Sequence, residues 1–475
     1  MADKLTRRDM IRTLTMGGLF TAGTMTPLAT LFAQEPGVSV RGPQPSEPAK
    51  SKTPTALVGD KVVQPVRELP LLRKTSILVV GGGPAGTAAA LAACRHGVDV
   101  TLVERYGHLG GLATGGLVLA IFPIYDRTGK QVIRGIGEEM MQRLDNLKFG
   151  IVDRNKAPLY PVVDAEAFKY VLAEMTLQSG MHAYLDCWGV DAIVDDKGAV
   201  RGAVFESKSG RQAILAEVVI DASGDGDIYA AAGAAYTKVK DNIGLVSRMG
   251  NINEVDMIGG AEAEHTNSDT ASAPTRRRPT HGAPISQLDG KFGSQTPVPG
   301  VNWLNMKGPV ADGLDVAELT SLELKHRIAL WKNLEKVREQ PGHADAFLLE
   351  TAPQMGVRLT RLLDGMQILT EDMMKKQATY QDVIGYCGAF ANTGEFQIPY
   401  GSLLPKKLEN ILVAGRCIAA DFAVANITRL IPVCWVTGEA AGIAATLCVK
   451  DRCTPRTINV GKLQSILKQT GVYLG

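Results

Sequence analysis

Cysteine is sparse here and badly spaced for metal chemistry. The 475 residues hold seven, Cys94, Cys187, Cys387, Cys417, Cys434, Cys448 and Cys453, with no CxxC pair and no histidines at zinc spacing. That pattern predicts neither a metal nor an iron–sulfur site. A CxxCH haem-attachment run is also missing, so any electron carrier is a separate protein. Most of the cysteines are expected to be small core residues, and the odd count leaves at least one without an intramolecular partner. Cys448 and Cys453 form the one close pair near the terminus. An excess of either charge is lacking too: 51 Lys and Arg face 49 Asp and Glu, a formal +2, with no long basic run. This argues against a nucleic-acid partner and for a small-molecule ligand. The 51 glycines cluster at turns without a fixed period, which excludes collagen-like and solenoid architectures.

What the chain does have begins with a basic N-terminus. Arg7 and Arg8 are adjacent, residues 13–32 are mildly apolar, and Ala33 precedes Gln34. This is the layout of a twin-arginine export signal over residues 1–33, which predicts a periplasmic or other extracytoplasmic protein with no stable membrane span after cleavage. An ordinary basic terminus or an uncleaved anchor is the alternative; Gly17, Gly18, Thr21, Gly23 and Thr24 keep the stretch too weakly apolar for a good anchor. Residues 34–74, rich in Pro, Ser, Lys and Thr, read as a linker. The remaining length exceeds one ordinary core, so two domains, or one with a large insertion, are expected.

The first chemical motif is ILVVGGGPAGTAAALAACRHGVDVTLVE, residues 77–104. An apolar run suited to a buried strand leads into Gly81, Gly83 and Gly86 at GxGxxG spacing, then an alanine-rich helix, then a second strand ending at Glu104. Gly81 permits the tight turn, Gly83 admits a pyrophosphate to the backbone, and Gly86 lets helix and strand pack closely. The helix N-terminus meets the negative charge, and Glu104 can accept hydrogen bonds from an adenosine ribose. The unit predicts a dinucleotide; an acid at position 104 argues against an NADP phosphate, while NAD and FAD both remain open. Gly110 and Gly111 follow as a possible second close approach, with a plain surface loop as the alternative.

Further along, residues 163–180 read as an amphipathic helix and three apolar runs over 182–221 as a meander of hairpins. The last run ends in DASGDGD, residues 221–227, where small residues at a strand end suit a ligand better than a calcium loop. Residues 259–300 read as a long irregular insertion, with Arg276 to Arg278 as a solvated charge cluster, and residues 322–337 as an amphipathic helix. A strand at Ile411 to Ala414, then Gly415 and Arg416, and a small-residue helix after Pro432 make a distant closing element. An NAD domain does not need one, and helix amides there suit the N1/O2 edge of a flavin; FAD is therefore favoured.

These stretches, with VERYGHLGGLAT, MGVRLTRLLDG, IPYGSLLP and TRLIPVCWVTGEAAGIAA, resemble a bacterial FAD-dependent oxidoreductase family distantly related to fumarate reductase flavoproteins. The resemblance implies an α/β fold: a Rossmann-type FAD-binding domain from both ends of the chain (75–160, 161–245 and 396–475), with an inserted α+β substrate or cap region at 246–395. It implies noncovalent FAD gripped by Gly81, Gly83, Gly86, Glu104, Gly111, Gly224, Gly415 and a helix start at Ala441 and Gly442. Pro84, Ala85, Arg105, Gly110, Val190, Ala222, Asp225 and Arg416 complete the expected cofactor contacts. Relatives carry Thr-His after the GRCI segment where this chain has Asp421 and Phe422, so Asp421 is a candidate for the proton or for the ribityl chain. The expected reaction is hydride transfer between a small organic substrate and flavin N5, with Arg429, Arg358 and Arg361 as candidates for holding an anionic or carbonyl-bearing substrate. For Arg358 and Arg361 a structural ion-pair role competes. Cys434 reads as a core cysteine and His108 as a loop histidine. A non-redox flavoenzyme and a non-catalytic flavin-binding subunit are the alternative functions.

Overall fold

In the computed structural model, residues 55–152, 161–252, 294–390 and 393–475 are described. The expected export signal, most of the linker and Arg276 to Arg278 lie outside them.

The apolar run Ile77 to Val80 is the buried end of strand β1, Leu71–Val80. It leads through the glycine turn into helix α1, Pro84–Arg95, with proline in its first turn, where a missing N–H costs nothing. Gly97, at φ +73°, turns the chain out of the helix toward β2, Val100–Val103. β1 and β2 are parallel. Both are covered on two faces, which is why they read as continuous apolar runs without alternation.

Helix α2 spans Ile136–Asp145 and α3 spans Ala165–Ser179. The Asp164 side chain caps α3 by accepting from the amides of Glu166 and Ala167, and Gly180 ends it in the left-handed conformation. Strand β3, His182–Tyr184, then pairs parallel with β2. This corrects the expectation that the whole of 182–221 is a meander: only β4 (Trp188–Val194), β5 (Val200–Ser207) and β6 (Gly210–Asp221) are antiparallel neighbours. Three residues are too few to show which partner they choose.

Strand β6 joins the two kinds of sheet. One edge runs parallel to β1 over Ala213 to Asp221. The other pairs antiparallel with β5 over Gly210 to Leu215, then parallel with β9, Ile411–Val413, over Val219 to Asp221. The seven-stranded order is β3-β2-β1-β6-β5-β4, with β9 on β6. A strand from the far end of the chain thus lies beside β6, with only β6 between it and the strand that leads into the glycine turn.

After β6 come the short helix α4, Asp227–Ala231, and strand β7, Asp241–Gly250, the spine of a second, antiparallel sheet with β8, Val301–Met306, and with Phe347–Thr351. Helix α5, Val316–Arg338, packs on it through Leu334 and Val337 against Met249 and Leu304. It begins six residues before the expected 322, because Asp315 caps it by accepting from the amides of Ala317 and Glu318. Helix α6, Phe422–Thr428, and helix α7, Ile431–Asp451, close the chain against the first sheet, followed by α8, Val460–Gln469. Among the described residues α7 alone is long and apolar enough to cross a membrane, and its most apolar stretch is wholly buried inside the protein. The architecture is α/β, a Rossmann-type sheet accompanied by a second α+β layer.

Candidate active site

The three glycines do three different jobs. Gly81 has φ +103°, and a Cβ there would sit 2.4 Å from the Ala222 carbonyl oxygen, so the turn presses on the end of β6. At Gly86 a Cβ would lie 1.7 Å from the Gly81 carbonyl oxygen; this glycine seats the helix on the strand. Gly83 is open, with only the Gly111 Cα at 3.9 Å. No side chain caps α1 at Gly83, and Pro84 has no N–H, so the amides of Ala85 and Gly86 are free for an anion at the positive end of the helix. The Gly110 amide donates to the Gly82 carbonyl at 2.8 Å, which carries Gly111 against Gly83.

Glu104 ends β2 beside this turn. Its carboxylate accepts from the Gly82 amide at 2.5 Å and the Tyr106 amide at 2.9 Å, and burial pushes its pKa up. Arg105 lies over the rings of Tyr106 and Trp188, 4.9 and 5.8 Å from their centroids. Val190 occupies an irregular step of β4 between Gly189 and Asp191, and Gly189 packs against Val80.

On the other side of the cradle, Asp221 is wholly buried and accepts from the amides of Ile228 and Tyr229 at 3.0 and 2.9 Å. It holds the Ala222 to Gly226 turn in place. Gly224, at φ +82°, leaves room for Arg416, whose guanidinium a Cβ would approach to 2.5 Å. Arg416 donates to the carbonyls of Val357 and Arg358 at 3.1 and 2.7 Å and pairs with Asp225 at 3.3 Å. Gly415, at φ +89°, comes so near α1 that a Cβ would sit 3.0 Å from the Ala85 Cβ. The cradle is therefore built from β1, β2, β6 and β9 together.

Ala441 and Gly442 are not at a helix start: they lie eleven and twelve residues along α7. A Cβ on Gly438 or Gly442 would meet the carbonyl oxygens of Ala85 or Ala89 at 2.1 and 2.2 Å. These small residues let α7 and α1 touch, and the free helix start is at Ile431. Asp421 is corrected as well. Its carboxylate caps α6, accepting from the Val424 amide at 2.9 Å and from the Glu371 amide at 2.7 Å, which gives it a structural role at the α6 start like that of any helix-capping aspartate. Arg361 takes the structural role that competed with substrate binding. It pairs with Asp227 at 2.9 Å, donates to the Asp225 carbonyl at 2.7 Å and covers the Tyr236 ring.

Arg429 is different. It stands two residues before α7, with Nε donating to Asn426 Oδ1 at 3.2 Å; among the described residues no acceptor meets its two terminal nitrogens. Burial, with Arg358 and Arg416 nearby, lowers its pKa to about 10. Arg358 donates to the Asn242 carbonyl at 2.5 Å and is itself pushed down by burial. The nearby acid is Asp241, buried, whose Oδ2 meets no hydrogen-bond partner among the described residues. Sequence reasoning does not single out Asp241, because a lone acid at the start of a strand carries no motif. Cys434 is a core cysteine: its thiol faces the Arg429 carbonyl at 3.3 Å and burial raises its pKa to about 12. The His108 ring packs on Gly115, and burial lowers its pKa.

The family model described as FAD dependent oxidoreductase matches residues 76–467. The chain belongs to this family. The match covers the glycine turn, the Asp221 turn, β9 and α7, so the cofactor is FAD. A tryptophan 2-halogenase of Chondromyces crocatus is 48% identical over 60 residues, 12% of this chain and 10% of that protein; the match spans about a tenth of the curated relative's length. Among solved structures, a geranylgeranyl bacteriochlorophyll reductase-like protein from Thermoplasma acidophilum is similar at 14% identity and TM-score 0.42, covering 84% of each chain. The myxobacterial FAD-dependent halogenase CndH is similar at 12% identity and TM-score 0.42, covering 84% of this chain and 79% of that one.

The residues present fit FAD. Gly83, with the amides of Ala85 and Gly86, offers an open cradle to the pyrophosphate, and Glu104 offers acceptors to the ribose. Gly111 brings its backbone against Gly83 beside that cradle, while Gly224 and Gly415 make room for Arg416 and Ala85 at its other side.

Proposed function

We propose that this FAD-dependent oxidoreductase is a dehydrogenase or reductase acting on a small organic substrate with an anionic or carbonyl group, which Arg429 holds. The observation that carries this reading is the Arg429 guanidinium: partly buried, with two terminal nitrogens that meet no protein acceptor among the described residues, and two residues from the start of α7. A partly desolvated guanidinium with two uncommitted nitrogens suits bidentate binding of a carboxylate or carbonyl oxygen. Arg358 adds a second positive charge, and Asp241 offsets part of the field so that both arginines stay protonated. Bound FAD supplies a ring that exchanges hydride with a substrate carbon at N5. The protein's part is to bind the substrate, fix its orientation and keep water scarce around the charges. The protein is exported by the twin-arginine route, acts outside the cytoplasm, and passes electrons to a separate carrier; Arg7 with Arg8 and the lack of CxxCH support this part.

The test is anaerobic addition of small hydroxylated, unsaturated and carboxylated metabolites to FAD-loaded protein, followed by flavin absorbance. Bleaching by at least one compound is expected. A substrate that is converted with the flavin remaining oxidised throughout would instead mean a non-redox flavoenzyme.

A further inference from the structure

The far end of α7 carries an arrangement that the flavin chemistry does not use. Arg452 is left-handed, with φ 51° and ψ 47°, and the Cys453 amide donates back to the Cys448 carbonyl at 3.0 Å. This is the long hydrogen bond of a Schellman cap, in which the residue after the left-handed one folds over the last helical turn. The two residues so joined commonly make an apolar contact; in this chain both are cysteines. The Cys453 thiol lies against that of Cys448 and reaches the Leu447 carbonyl at 3.9 Å. Cys448 is buried, whereas Cys453 keeps solvent access.

A disulfide needs two α-carbons a few ångströms apart with facing β-carbons. The cap supplies that closeness through a backbone hydrogen bond, and the side-chain contact supplies the facing. The segment beyond is also anchored, since the Tyr400 hydroxyl donates to the Pro455 carbonyl at 2.8 Å. A bond at this place therefore asks little movement of the fold.

We propose that Cys448 and Cys453 are a modification site that closes to an intramolecular disulfide by exchange with an external disulfide. The accessible Cys453 attacks as thiolate, forms a mixed disulfide and expels one thiol. Cys448 then attacks the Cys453 sulfur and expels the second. The protein loses two protons and two electrons, and the external disulfide becomes two thiols. The bond ties the end of the closing helix to the chain that follows it, independently of the proposed substrate.

The test uses FAD-loaded full-length protein equilibrated with oxidised glutathione, alkylated and digested. Lys450 and Arg452 lie between the two cysteines, so trypsin separates them unless a disulfide holds them. Cleavage after Trp435 also removes Cys434 from the Cys448 peptide. The expected product is the peptide ending at Lys450 linked to the one starting at Cys453, absent in Cys448→Ser, with the melting temperature of the wild type raised by about 2 to 4 °C. Recovery of both residues alkylated, or of Cys453 as a lasting glutathione adduct, would overturn the proposal. So would a linked peptide that contains Cys434 in place of Cys448. The wild-type digest decides the matter even where the serine variant does not fold.

Discussion

Arg429 and Asp421 are eight residues apart, and sequence patterns treat them alike, as polar candidates near a flavin. Their surroundings separate them. Asp421 gives both oxygens to backbone amides, so Asp421→Ala should cost about 1 kcal/mol of stability while flavin reduction by substrate is kept; thermal melts and anaerobic reduction measure the two effects. Arg429→Ala should retain FAD and slow reduction by 10- to 100-fold, the worth of a charge-assisted hydrogen bond of about 1.5 to 3 kcal/mol. Unchanged reduction would remove Arg429 from the site. Glu104→Ala should weaken FAD binding by a similar factor, read by flavin titration. The three glycine roles were legible because each follows from backbone sterics alone. The partners that occupy Arg361 and Asp421 were not, because the Asp227 carboxylate and the Glu371 amide reach them only through tertiary packing.

At the scale of elements, α7 is where burial and chemistry meet. Glu439 lies in its middle, accepting from the Ile136 amide at 2.9 Å and the Thr470 hydroxyl at 3.0 Å, and burial raises its pKa from 4.5 to about 7. The folded state thus holds the proton more tightly than the unfolded chain. The stability this group contributes is complete below pH 4.5 and is lost as pH rises through about 7. Glu439→Gln keeps the shape without the charge and should raise the melting temperature at about pH 8 while changing it little at about pH 3.5 (roughly one unit clear of the titration on either side). An equal shift at both would refute the assignment. Gly442→Val, by contrast, drives a side chain into the Ala89 carbonyl and should unfold the α1–α7 contact, seen as loss of soluble protein or of bound FAD. The pattern showed that a small-residue helix closes the sheet, and the strand at Ile411 that feeds it. It did not show where the helix begins, since the Gly438 and Gly442 spacing looks the same at a flavin as against another helix. The parallel pairing of His182 to Tyr184 was hidden for a like reason: partner choice lies in the sheet, not in three residues.

For the whole molecule, β6 explains why both ends of the chain are needed. Its final residues pair with β1 on one edge and with β9 on the other, so the glycine turn, the Gly224 turn and Gly415 come to one place. The Rossmann-type unit could be read in the order strand, turn, helix, strand and acid; the strand at Ile411 could be read as a distant closing element, but not its pairing with β6, some 190 residues earlier. The proposed export by the twin-arginine route is tested separately: Arg7 and Arg8 replaced by Lys should leave the protein in the cytoplasm, as fractionation would show. The most direct test of the account is FAD titration of the purified protein by absorbance. One FAD per chain with resolved flavin bands is the predicted result; protein that is folded yet shows no flavin bands after reconstitution would contradict it.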